Sequence, residues 1–189
     1  MTEETTPRKI QTPLKEDLIA SLQAGEMVLL SGEVYTARDV AHRRLFDALE
    51  QGKPLPIDLR TAVIFYAAPT PTPPGGIIGS VGPTTSYRMD AFTPRLIAGG
   101  LKAMIGKGMR SPEVIAAIQE GKAVYFGAIG GIAALTAKCI RQVEPVAYED
   151  LGPEAIRRLT VVDMPLIVVN DARGNDLYRS ARNKWHVIC

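Results

Sequence analysis

The residues best placed to do chemistry are Gly82-Pro83-Thr84-Thr85-Ser86-Tyr87-Arg88-Met89-Asp90, which set hydroxyls, a guanidinium and a carboxylate just after a Pro/Gly-rich loop. Two other stretches have the same character: Tyr35 to Asp39 running on to His42, and Gly106-Lys107-Gly108. Arg38, Arg88 and Lys107 together suit a small dianion. A helical turn from Thr84 to Arg88 puts hydroxyl and guanidinium on one face, where the fork takes a carboxylate bidentately. Arg38 and His42 share a face by the same spacing, and a cation in a helix's first turn is poorly matched to the dipole unless a ligand is meant. Each stretch also has a plainer reading. The hydroxyls can cap their own turn, Arg38 and Asp39 can be a surface ion pair beside a solvated or core histidine, and Gly-Lys-Gly is ordinary turn chemistry. No group among them is strong enough to transform such a substrate alone.

The elements that must position these residues belong to a chain of 189 residues, 46% hydrophobic and 22% charged, enough for one domain with a substantial core. A net charge of +2 with scattered basic residues argues against nucleic acid. No apolar run approaches the roughly 18 residues of a membrane span. The first residues lack a signal-peptide core, so the expected compartment is the cytoplasm. Two cysteines, Cys139 and Cys189, are too few for a disulfide framework, a zinc site or an iron–sulfur cluster. Gly127-Ala-Ile-Gly-Gly131 lacks the spacing of a dinucleotide or phosphate loop and reads as close helix packing.

The pattern predicts an extended arm over 1–13, a helix over 15–24 and a strand over 27–31 that turns or continues to Tyr35. A helix follows over 37–51, with Thr36 as N-cap and Asp39 as the reciprocal acid of a capping box. The apolar run 62–67 reads as a strand buried on both faces, and 69–76 as a stiff proline-rich excursion. Helices are expected over 93–99, 112–120 (Ser111 as N-cap, Pro112 at the first position), 131–140 and 153–159. Strands are expected over 101–105, 123–129, 143–148, 160–162 and 166–171. Alternating strands and helices argue for an α/β fold with a largely parallel central sheet flanked by helices.

The segments SGEVYTARDVAHRRL, YAAPTPTPPG, IGSVGPTTSYRMD, MIGKGMRS, AKCI and VAYEDLGPEAI resemble the beta subunit of class I, iron–sulfur-dependent fumarate hydratase. The beta subunit of L(+)-tartrate dehydratase is the neighbouring possibility. The resemblance spans about residues 10–178; 179–189 reads as an unmatched tail beyond one catalytic domain over 14–178. It implies a swivelling β/β/α domain that works with an alpha subunit, without nucleic acid or membrane, in dimers of alpha–beta pairs or self-associated when isolated. The alpha subunit is expected to hold a 4Fe-4S cluster; this chain is expected to hold no cofactor or metal. Reversible hydration of fumarate to L-malate is implied, with tartrate dehydration or a non-catalytic dicarboxylate-binding domain as alternatives. Carried over by position, Arg38, Arg88 and Lys107 resemble the carboxylate-binding cations and Thr84 the catalytic base, with Thr85 beside it. His42 matches an acid/base position, or else orients Arg38 or contacts substrate.

Overall fold

In the computed structural model, residues 6–129, 131 and 133–185 are described. They run β1 (Arg8–Gln11), α1 (Glu16–Ser21), β2 (Met27–Thr36), α2 (Asp39–Glu50), β3 (Val63–Phe65), β4 (Ala67–Pro69), β5 (Val81–Pro83) and α3 (Thr93–Ala98). Next come β6 (Ala103–Gly106), α4 (Pro112–Glu120), β7 (Val124–Gly127), α5 (Ala133–Cys139), β8 (Ile140–Ala147), β9 (Ile156–Asn170) and α6 (Leu177–Trp185). Short 3-10 turns cover Ser86–Met89 and Glu149–Glu154.

The main sheet has the order β1-β2-β3-β6-β7-β9-β8. Its first four pairings are parallel, and β9 is antiparallel to both β7 and β8. β9 also pairs antiparallel with β2, from Met27↔Ile167 to Tyr35↔Arg158, so β2, β3, β6, β7 and β9 close into a barrel-like ring. Strand alternation then buries both faces. Val63, Phe65, Ile105 and Phe126 meet Leu30, Val34 and Val161 inside the ring. Ile64, Tyr66, Met104 and Tyr125 point the other way, against Leu45 of α2, Leu96 of α3 and Ile118 of α4. The α/β class and mostly parallel sheet are as expected, and the run 62–67 is buried throughout.

Several boundaries differ from the sequence reading. The arm is not free: β1 pairs with β2, and Ile10 is buried in the ring core. β2 continues through Gly32 to Thr36. Thr36 is not an N-cap; its hydroxyl donates to Ala155 O (3.2 Å) and accepts from Arg157 N (3.0 Å). α2 therefore starts later, with Arg38 as the flanking residue and no side-chain cap of its own. The helix expected over 153–159 is the end of a 3-10 turn followed by β9, because Ile156, Leu159 and Val161 are taken up by two flanking strands. The two strands expected beyond it are one, with the register shift where Leu30 and Gly32 face Met164 and Val161. Residues 179–185 lie in α6. Residues 1–5 of the arm, Gly130, Ile132 of the helix expected over 131–140, and 186–189 with Cys189 lie outside the described residues.

Candidate active site

Parallel strands β2, β3 and β6 are neighbours, so their C-terminal ends gather at one edge, the usual ligand position in α/β sheets. Arg38 lies two residues past β2 and Lys107 one past β6. Thr84 follows β5, the second arm of a hairpin with β4 whose proline-rich tip is pinned by Thr70 N to Ser80 O (3.0 Å). The Thr84 amide donates to Tyr66 O (2.6 Å), just beyond β3. Lys107 N then donates to Thr84 O (3.3 Å) and Ser86 N to Lys107 O (2.9 Å), so Thr84–Ser86 extends the parallel pairing past the end of β6. Gly106 makes that approach possible, since a Cβ there would stand 2.0 Å from Ser86 Oγ. Thr85 sits in this bridge, half-buried.

Arg38 Nη1 donates to Thr84 Oγ1 at 3.2 Å, and Thr84 is only 8% exposed. Arg38 Nη2 is held by Glu154 Oε1 at 3.0 Å, while Glu154 Oε2 accepts from Val40 N at 3.1 Å. A carboxylate from the 3-10 turn before β9 thus takes the place of a local cap at α2, where negative charge is favoured. Arg38 Nε faces Asp39 Oδ2 at 3.5 Å, and Asp39 Oδ1 pairs with Arg88 Nη2 at 2.8 Å. Arg88 is half-exposed, and Lys107 is exposed with no carboxylate within salt-bridge distance among the described residues.

Beneath this surface a buried polar layer ties the loops together. The Arg110 side chain is fully buried, with Nε on Asp90 Oδ1 (2.8 Å) and Nη2 on Thr93 Oγ1 (2.9 Å). The guanidinium lies over the rings of Tyr66 (5.3 Å) and Tyr125 (4.8 Å). Asp90 Oδ2 also accepts from Ser111 N (2.6 Å), and Tyr125 Oη donates to Gly108 O (3.0 Å) while taking a bond from Ser86 Oγ (2.9 Å). Burial charges a high cost for an unpaired cation, so this layer fixes Thr84–Asp90 against Lys107–Ser111.

The sequence-predicted residues divide. Arg38, Thr84, Arg88 and, through the backbone bridge, Thr85 and Lys107 come together at one edge. His42 does not join that surface. Its ring is fully buried edge-on to Tyr66 (5.3 Å between centroids) and near Phe92 (6.3 Å), and neither nitrogen has a hydrogen-bond partner among the described residues. Burial, with nearby Arg110, pushes its pKa down to about 3, so the imidazole is neutral at pH 7 and cannot serve as an acid there. The sequence assigns no site role to Glu154 or Arg110, reads Asp39 as an ion-pair partner or capping acid, and marks Asp90 only as the carboxylate that ends the Gly82–Asp90 stretch. The signals it does carry are that Glu154 lies in VAYEDLGPEAI and that Arg110 closes GKGMR.

The edge presents an open surface with three cationic side chains, Arg38, Arg88 and Lys107, around the buried Thr84 hydroxyl. A cleft of about 610 Å³ lies between α4 and α6; Arg110 borders it, but Arg38, Thr84, Thr85, Arg88 and Lys107 do not. The model of the family described as "Fumarase C-terminus" matches residues 2–181, and the chain belongs to that family. It is similar to fumarate hydratase 2 of Leishmania major (40% identical over 162 residues, 85% of this chain and 28% of that protein). It is similar also to the anaerobic class I fumarate hydratase of Escherichia coli K12 (38% over 184 residues, 95% and 34%). A third relative is the L(+)-tartrate dehydratase subunit beta of the same strain (37% over 180 residues, 93% and 87%). The chain spans about a third of the fumarate hydratases' length but most of the tartrate dehydratase subunit's.

Proposed function

We propose that this chain is the beta subunit of a hydro-lyase that reversibly hydrates fumarate to L-malate together with an alpha subunit. The observation that carries the reading is the 3.2 Å hydrogen bond from Arg38 Nη1 to the buried Thr84 hydroxyl. A threonine is a poor base unless a cation stabilises its alkoxide, and here the cation donates directly to the oxygen. Arg38 has Nη2 held by Glu154 and Nε facing Asp39 at 3.5 Å without a hydrogen bond, so Nη1 serves Thr84. Arg88 and Lys107, the more open cations, hold the two carboxylates, with Thr85 beside them. A dicarboxylate fixed at both ends presents its C2–C3 bond to Thr84. In dehydration Thr84 removes the proton from the carbon next to the carbinol, the C–H pair becomes the C=C bond and the hydroxyl leaves; in hydration the hydroxyl adds to one carbon and Thr84 returns the proton to the other.

The described residues do not fit a 4Fe-4S cluster. Cys139 donates to Leu135 O, and no three metal-ligating side chains cluster among the described residues. The reading therefore places the cluster on the alpha subunit, where it would supply Lewis-acid chemistry. Exposed Val40, Tyr87, Met109 and Ile129, each within two residues of a site residue or just past β7, support a face that a partner covers. On this reading the domain swivels against that partner, the enzyme is a dimer of alpha–beta pairs, and the compartment is the cytoplasm. No described helix is long and apolar enough to cross a membrane.

A second reading, dehydration of L(+)-tartrate to oxaloacetate, is favoured by the near full-length match to a subunit of that enzyme. Steady-state rates of the anaerobically reconstituted complex on fumarate, L-malate and L(+)-tartrate separate the two. We expect kcat/KM for fumarate and malate to exceed that for tartrate by at least about tenfold. A tartrate preference would replace the first reading with the second.

A further inference from the structure

Asp39 occupies an unusual position. It is the first residue of α2, yet its φ of 37° lies in the left-handed region, which is uncommon for a residue with a Cβ and is tolerated best by Asn and Asp. Its carboxylate stands between two guanidinia that come from different elements. One oxygen is 2.8 Å from Arg88 Nη2; the other faces Arg38 Nε at 3.5 Å, and that pair of atoms is buried with no hydrogen-bond partner among the described residues. A helix-capping or surface role would require neither the left-handed backbone nor both arginines.

Resting on the functional reading above, we propose that Asp39 is the positioning residue that fixes Arg88 relative to Arg38. It takes Nη2 of Arg88 and leaves the rest of that fork for a substrate carboxylate, while the same side chain borders the arginine bound to Thr84. The distance from carboxylate clamp to base is thereby set by one residue. The sign of its effect distinguishes this role from simple electrostatics. Removing a negative charge beside a dianion site, by charge alone, tightens substrate binding. Losing the position of a long, rotamer-rich side chain loosens it, on the order of tenfold.

The test is steady-state kinetics of the alpha–beta complex carrying Asp39→Asn, Arg88→Ala or both, with fumarate as substrate. Asn tolerates left-handed φ nearly as well as Asp, so circular dichroism and thermal unfolding should match the wild type; if they do not, Asp39→Gly relieves the backbone and removes the same carboxylate. KM should rise about tenfold for Asp39→Asn with kcat within about threefold, and the double variant should be no worse than Arg88→Ala alone, since Asp39 acts through that arginine. An unchanged or lowered KM, or effects that multiply in the double variant, overturns the role of Asp39 while Arg88→Ala remains impaired. Wild-type kinetics from Arg88→Ala would remove the functional reading itself, and this inference with it.

Discussion

At the residue scale the account rests on how charge is distributed around one hydroxyl. Thr84 alone has no reason to lose a proton; Arg38 supplies one, and Glu154 keeps Arg38 aimed by bonding both its Nη2 and the start of α2. Thr84, Arg88 and Lys107 were legible in the sequence because hydroxyls and cations clustered after glycines have little packing use. Glu154 was not, since 114 residues separate it from Val40 and only the closing of β9 onto β2 brings it there. His42 takes the core position that the sequence left open beside the acid/base one, because helical spacing from Arg38 says which face a side chain lies on, not which way that face points. It points into the core. Its folded pKa of about 3 lies below the ordinary value of 6.5, so the unfolded chain binds the extra proton between those pH values. Stability should therefore fall as pH drops, by about 2 kcal/mol between pH 7 and pH 5 from this residue. Urea unfolding at both pH values checks it: His42→Leu should lose that component of the difference while remaining at least as stable at pH 7, because no hydrogen bond is given up.

At the element scale, two loops from different strands behave as one rigid unit. The Arg110–Asp90 pair, with the rings of Tyr66 and Tyr125 around the guanidinium, binds the Thr84 segment to the Lys107 segment. Replacing one member of a buried ion pair leaves the other charge uncompensated, so Asp90→Asn should cost about 3 kcal/mol in urea unfolding and blunt activity through loop displacement. Stability equal to the wild type would mean that the pair does not hold the loops. The same scale shows where local signals mislead. Thr36 followed by Asp39 satisfies the wording of a capping box, but Thr36 is still in β2 and spends its hydroxyl on the start of β9. Pro153 to Leu159 has a helical look, yet Ile156 and Arg157 pair with β8 and Arg158 to Val161 pair on both sides, with β2 and β8, and long-range pairing overrides local propensity. By contrast α4 was fully legible: Ser111 Oγ accepts from Val114 N, Pro112 opens the helix, and Val114 and Ile118 bury one face.

At the scale of the whole molecule, a closed ring of strands serves as a rigid mount that gathers three loop ends at one edge and leaves them open. Belonging to the fumarase C-terminal family, and spanning about a third of some relatives' length but most of another's, fits a chain that carries part of an active site. The central claim is that Thr84 is the proton-transfer group of a hydro-lyase completed by a second chain. The most direct measurement is fumarate hydration by this chain alone, by its anaerobically reconstituted complex with the alpha subunit, and by the same complex carrying Thr84→Ala. The account predicts no turnover from the chain alone, turnover from the complex, and a kcat lowered by about 10²–10⁴-fold in the variant with assembly and unfolding temperature retained. A Thr84→Ala complex that hydrates fumarate at the wild-type rate would contradict it.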